Sequence, residues 1–172
     1  AHAPQIFVKD GVYYWYGENK EKTTLGSNVW TWGIRAYRST DFYNWEDLGL
    51  IIKPDTVNPL SPLHYSQTLD RPHIIYNRKT GKCWIKSMDT DGYFVIMQAD
   101  RFEGPYALVR SFKPEVFGVG DFDMYVDEVS GKAYVWFERP HWEMVCAELT
   151  DDFLGTNGNY SEHFVGLLPP YT

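Results

Sequence analysis

The sequence predicts an all-β chain of the β-propeller type, made of about three four-stranded antiparallel blades. Three observations carry this expectation. A polar corner follows an alternating strand three times, as Ser39-Thr40-Asp41-Phe42, Ala99-Asp100-Arg101-Phe102 and Thr150-Asp151-Asp152-Phe153. Alternation ended by a Ser/Thr/Asp cluster is the pattern of a strand and its turn. Ahead of each corner stands a hairpin pattern, over Ala3–Glu18, Arg71–Met88 and Asp121–Glu138, with Gly11, Gly81 and Gly131 in the turns. Glycine there supplies the positive φ that a tight hairpin requires. The corner aspartates Asp41, Asp100 and Asp151 also recur near the roughly 40–50-residue period of propeller blades, the first interval being longer.

In chain order, Ala1–Glu18 forms the first hairpin, and Asn19–Trp32 is a long polar and aromatic loop before the strand at Ile34. Long loops in compact domains are usually functional or mobile, so Trp30 and Trp32 either line a sugar site or pack the loop down. A fourth strand is expected at Leu50–Ile52, followed by a connection in which Pro54, Pro59 and Pro62 exclude regular structure. The repeats run over about 1–52, 70–111 and 121–164, within a single partial propeller domain spanning 1–172. Three blades cannot close a ring, so the chain reads either as part of a larger propeller or as one whose open faces something else covers. Self-association through open blade edges follows from the same reasoning.

Composition narrows the function. A net charge of -7 without clustered Lys or Arg argues against nucleic acid and anionic membrane surfaces as partners. No apolar run approaches a membrane span. The chain opens on AHAPQ without a leader pattern, as a mature secreted or a trimmed chain would. Cys83 and Cys146 stand in different repeats, each in an apolar strand, and read as buried free thiols. The five histidines show no metal-ligand spacing, and no nucleophile elbow or phosphate loop is present.

In a propeller the innermost strands line a common axis, so the repeat starts bring His2/Ala3, Asp70/Arg71 and Asp121/Asp123 toward one place. Converging carboxylates among aromatic rings suit acid/base work on a glycosidic bond. Against this, each aspartate taken singly is better explained by turn hydrogen bonds at a strand edge, and it is their recurrence at equivalent points of the repeats that turns the reading toward function.

RSTDFYNWEDLG resembles the Ser-x-Asp-Leu-x-x-Trp corner of five-bladed propeller glycosidases. YYWYGENK, RPHIIYNRKTGK, EGPY, VDEVSGKAYVWF and AELTDDFLG resemble, in the same order, segments of glycoside hydrolase family 43, nearest its exo-β-1,3-galactanase branch. The resemblance covers nearly the whole chain and corresponds to blades one to three. It implies an inverting glycoside hydrolase acting on galactan or plant-type side chains, as a β-1,3-galactosidase or an arabinosidase- or xylosidase-like enzyme. It places Asp121 on the aspartate that tunes the general acid, and the general acid itself just beyond Thr172. The position of the family's general base is Ala3 here, a departure shared with the galactanase-like branch. Glu18, Asp70, Arg71, Tyr93, Glu138 and His2 are the substrate-binding candidates. No cofactor is expected, a structural calcium ion stays open, and a secreted or periplasmic location fits a polysaccharide substrate. The competing readings are a non-catalytic carbohydrate-binding propeller, an inactive fragment, and a propeller used as a protein-interaction surface.

Overall fold

The computed structural model describes residues 2–88, 92–114, 119–139 and 143–166, with side chains described except at 83–88. Among these residues the chain is all-β, with twelve strands in three four-stranded antiparallel sheets. The first sheet is a meander of β1 (His2–Lys9), β2 (Val12–Glu18), β3 (Ile34–Ser39) and β4 (Glu46–Ile52). The second repeats it with β5 (Asp70–Asn77), β6 (Lys82–Met88), β7 (Phe94–Ala99) and β8 (Ala107–Phe112). The third follows with β9 (Phe122–Val126), β10 (Ala133–Arg139), β11 (Glu143–Leu149) and β12 (Thr156–His163). The first strands of the sheets lie side by side, β5 between β1 and β9. That is the blade arrangement of a propeller, with β1, β5 and β9 innermost. No helix among the described residues is long and apolar enough to cross a membrane.

Two apolar cores stack the sheets face to face. Tyr16, Ile34, Ala36, Ile74, Val95, Met97 and Phe102 fill the space between the first and second sheets. Phe94, Ile96, Phe122, Val135, Phe137 and Val145 fill the space between the second and third. Successive residues of a strand face opposite sides, so the run Phe94-Val95-Ile96-Met97 supplies both cores in turn, and all four are fully buried.

The hairpin turns form as the sequence indicates, with Gly11, Gly81 and Gly131 at φ of 76, 70 and 73°. The corners are less uniform than their spelling. At the first, Ser39 Oγ accepts from the N–H groups of Asp41 and Phe42, and Asp41 Oδ1 accepts from those of Tyr43 and Asn44 at 2.8 and 2.7 Å. These bonds hold the Asp41 carboxyl far below the usual carboxylate range. At the third corner the same work is done by Thr150 and Asp152, whose Oδ1 takes the Leu154 N–H at 3.0 Å. Phe42 and Phe153 share a left-handed φ of 63°. Asp100 and Asp151 instead reach outward to Lys82 and Lys79. The three aspartates therefore share a spacing but not a role, because the capping position comes one residue later.

The fourth strand of the first sheet starts at Glu46, ahead of the expected Leu50. Its polar beginning stays in the ladder because Arg38 pairs with Glu46 at 2.7 Å and Arg35 grips Asp47 across the sheet. Cys146 carries a free, half-buried thiol, and the Cys83 side chain lies outside the described residues. His141 and the Pro-Pro segment near the end of the sequence lie outside them as well.

Candidate functional site

The site grows from an irregularity that the inner strands share. In β1 the pairing with β2 skips from His2 to Gln5, and in β5 the pairing with β6 skips from Asp70 to His73. The extra residue takes a left-handed conformation in both strands, at Ala3 (φ 44°) and Arg71 (φ 50°). Such a backbone costs on the order of 1–3 kcal/mol for a non-glycine residue and concentrates at functional positions. At the start of β9, Gly120 and Asp121 together face Glu138: the Gly120 N–H donates to the Glu138 carbonyl, and the Glu138 N–H donates to that of Asp121, each at 2.9 Å. All three inner strands thus kink where they reach the same end of the molecule, and a kink of this kind re-aims side chains.

Glu18, the last residue of β2, sits at the centre of the cluster and is 1% exposed. Its carboxylate accepts from Lys20 Nζ at 2.8 Å and His2 Nδ1 at 3.1 Å on one oxygen, and from the Arg71 N–H at 3.0 Å on the other. A carboxylate this buried must be compensated, and here a cation, an imidazole and a backbone donor do so. The left-handed turn at Arg71 leaves its N–H outside the β5–β6 pairing and turned to Glu18.

Asp70 lies next to this group and accepts from the indole Nε1–H of Trp30 at 2.5 Å. Burial raises the Asp70 carboxyl above its ordinary range, the neighbouring Glu18 charge adds to the rise, and the Trp30 bond opposes it. Trp30 is delivered by the long loop, which the Trp32 N–H closes on the Asn19 carbonyl and the Trp30 N–H fastens to Tyr65, both at 2.8 Å. Lys20 lies over the Trp30 ring, 4.5 Å from its centroid, and donates to the Trp30 carbonyl at 2.8 Å.

Asp121 is paired with the Arg71 guanidinium, and its own N–H donates to Glu138 Oε1 at 3.0 Å. Two residues on, Asp123 pairs with His73 Nδ1 at 3.1 Å. His2, Glu18, Asp70, Arg71, Asp121 and Glu138 are thereby linked through one chain of contacts. Lys113 covers the Tyr93 ring at 4.7 Å from its centroid, and the carbonyl of the neighbouring Gly92 takes the Val119 N–H at 3.0 Å. The cluster is open at the surface. Cavities of about 540 and 510 Å³ lie elsewhere, at the outer edge of the first sheet beside Arg38 and Trp45 and at the far ends of β1, β5 and β9. No group of three metal-ligating side chains occurs among the described residues.

Sequence reasoning singled out the carboxylates and left Lys20 and His73 unremarked. Lys20 carried a signal: two residues from Glu18, it lies where an alternating strand would present it on the same face. His73 gave none beyond its place two residues from Arg71. The pairing of Trp30 with Asp70 spans 40 residues and had no local signature.

No family model and no curated protein matches the sequence. Solved structures do. A glycoside hydrolase family 43 β-1,3-galactosidase aligns with a TM-score of 0.80 at 27% identity, over 94% of this chain and 35% of that one. A second β-1,3-galactosidase of that family, solved with galactodeoxynojirimycin, aligns at 0.82 and 23% identity, over 95% of this chain and 62% of that one. The exo-β-1,3-galactanase of Phanerochaete chrysosporium, solved with galactose, aligns at 0.81 and 19% identity, over 96% of this chain and 39% of that one. This chain thus spans about one third to three fifths of the length of these structures. Over nearly its whole length it has the fold of the glycoside hydrolase family 43 β-propellers, and its structural neighbours include β-1,3-galactosidases and exo-β-1,3-galactanases.

Proposed function

We propose that this chain is the part of a secreted or periplasmic glycoside hydrolase that holds the terminal sugar of a β-1,3-galactan or a related side chain. Residues 1–172 form a single partial propeller domain in this reading. The observation that carries it is the gathering of Glu18, Asp70, Asp121 and Glu138 at one end of the inner strands, beside the exposed indole of Trp30. Carboxylates that accept from sugar hydroxyls, next to an aromatic face that stacks on C–H groups, form the usual means of gripping a pyranose.

The roles follow from position. Asp121 sits at the mouth of the axis and acts on the general acid by like-charge proximity, which raises that acid's pKa and keeps its proton at neutral pH. Asp70, Arg71, Glu138, His2 and Tyr93 contact the sugar, and Glu18 enters chiefly through the His2 and Lys20 that it holds. In an inverting reaction the acid protonates the leaving oxygen while a base on the other face activates water. Ala3, at the matching base position, has no group to serve as that base. Exposed Ile6 and Val8 on the first sheet, and Tyr125 and Trp136 on the third, support packing against further blades or self-association of the isolated chain.

The missing base favours one second reading, a propeller that binds carbohydrate without cleaving it. Both readings meet the same experiment: hydrolysis of β-1,3-galactan and aryl galactosides by the full-length gene product and by residues 1–172, with galactose binding measured alongside. Turnover with inversion by the full-length protein alone is the expected result. Binding without turnover by either establishes the binding module. Equal turnover by both would place the acid within residues 1–172 and overturn the assignment of Asp121.

A further inference from the structure

Blades two and three meet at the axis through side chains, not through a shared backbone ladder, because β5 and β9 belong to different sheets. Apolar packing of Phe122, Met124 and Val126 holds β9 against the middle sheet, and polar contacts at its head add to the placing of the Asp121 carboxylate. Near the cluster two side-chain contacts join the strands, Arg71 to Asp121 and His73 to Asp123, and the His73 ring also bonds the Phe122 backbone. The bulge at Arg71 separates the two contacts in register, one at the exposed Arg71 and one at the buried His73. The two contacts differ in kind. Arg71 and Asp121 are 44% and 56% exposed at their side chains, and an ion pair so open to water holds position weakly. The His73 side chain is 8% exposed, its ring packs on Phe122 at 4.7 Å between centroids, and its Nδ1 lies 3.1 Å from Asp123.

We propose that His73 is a positioning residue for the site, its buried ring, packed on Phe122 and 3.1 Å from the Asp123 carboxylate, fixing the head of β9 against β5 so that Arg71 and Asp121 meet in register. The inference rests on the proposed function only in taking Asp121 to face the ligand. The groups facing His73 are few. Asp123 comes from β9, Arg71 is its neighbour two residues back on β5, and the buried Tyr16 hydroxyl of β2 accepts from the Ile74 N–H next to it. Burial lowers the His73 pKa, against the pull of Asp123 and of a hydrogen bond to the Phe122 backbone. One contact alone is a pivot about which the head of β9 can turn. Two contacts fix both its slide and its rotation.

The test compares His73→Leu, His73→Asn and Asp123→Ala with the unaltered chain. The first removes the ring nitrogens, the second puts an amide group at the position of Nδ1, and the third removes a carboxylate that is 76% exposed and whose Oδ1 also accepts from the Met124 N–H at 2.7 Å. Two readouts are taken: the NMR signal of the Arg71 Nε–H, which reports its pairing with Asp121, and the affinity for galactodeoxynojirimycin. His73→Leu and Asp123→Ala are expected to shift and broaden the Arg71 signal and to weaken binding by roughly tenfold. His73→Asn is expected to restore both. An Arg71 signal unchanged in Asp123→Ala, or His73→Asn failing as His73→Leu does, would overturn the proposal. Absence of iminosugar binding by the unaltered chain would count against the proposed function instead, and the Arg71 signal would still decide the role of His73.

Discussion

Gly120 and Glu138 offer a test in which one substitution changes sign with its background. A Cβ at position 120 would lie 2.4 Å from Glu138 Cγ and 2.5 Å from its Oε1, closer than any real contact. The backbone at 120 is in an ordinary region, so the obstacle is the side chain alone. To make room Glu138 must swing out, and in doing so it gives up the 3.0 Å bond from the Asp121 N–H. A hydrogen bond to a charged group contributes about 1.5–3 kcal/mol. Alanine at an unstrained glycine position returns about 0.4–1 kcal/mol by restricting the unfolded chain. Gly120→Ala should then cost roughly 0.5–2.6 kcal/mol net. In a Glu138→Ala background the clash and the bond are both absent, and the same Gly120→Ala change should stabilise by about 0.4–1 kcal/mol. Urea denaturation of the four proteins, followed by tryptophan fluorescence, measures the cycle. Equal destabilisation by Gly120→Ala in both backgrounds would refute the close approach, and with it the account of how Asp121 is held.

Two further outcomes follow from the same structure. Tyr16 is 2% exposed and its hydroxyl accepts from the Ile74 N–H at 2.8 Å, so Tyr16→Phe leaves a buried donor unsatisfied and should cost about 1–3 kcal/mol, with faster hydrogen exchange at Ile74. Asp70 has a folded-state pKa above its unfolded value, so its contribution to stability is full below about pH 3.9 and is lost as pH rises through the folded value. Asp70→Asn still accepts from Trp30 but cannot ionise; it should match the unaltered chain at pH 3 and exceed it at pH 7, by less than about 1 kcal/mol because the site is half open to solvent. Paired denaturation curves at the two pH values check this, and lower stability of Asp70→Asn at pH 7 would contradict it.

Much of the fold was legible because strand alternation and turn chemistry are local. Gly11, Gly81 and Gly131 announce their hairpins, and the aromatic-rich runs after them announce the second strands. The corner aspartates were readable as a period but not as a function: Asp152 caps its turn while Asp151 does not, and only hydrogen-bond geometry separates neighbours of the same type. The carboxylates of the site could be guessed from their places at repeat starts. What joins them could not. Arg71 meets Asp121 and Trp30 meets Asp70 only after the sheets have packed, and the left-handed backbone at Ala3 and Arg71 has no marker in residues that usually avoid it.

The double burial of β7 bears on how the molecule comes apart. Phe94 and Ile96 belong to one core, Val95 and Met97 to the other, so the middle sheet is the common neighbour of two sheets that share no core with each other. In a stack coupled this way, stability is close to a sum of each unit's own term and its nearest-neighbour interfaces. Either outer sheet can fray while one interface survives, whereas loss of the middle sheet removes both at once. The amides of β7 should therefore exchange only through global unfolding. Glu18 at the end of β2 and Asp121 at the head of β9 lie on outer sheets free to open separately, with Asp70 on the middle sheet between them, so the cluster holds together only while both interfaces are intact.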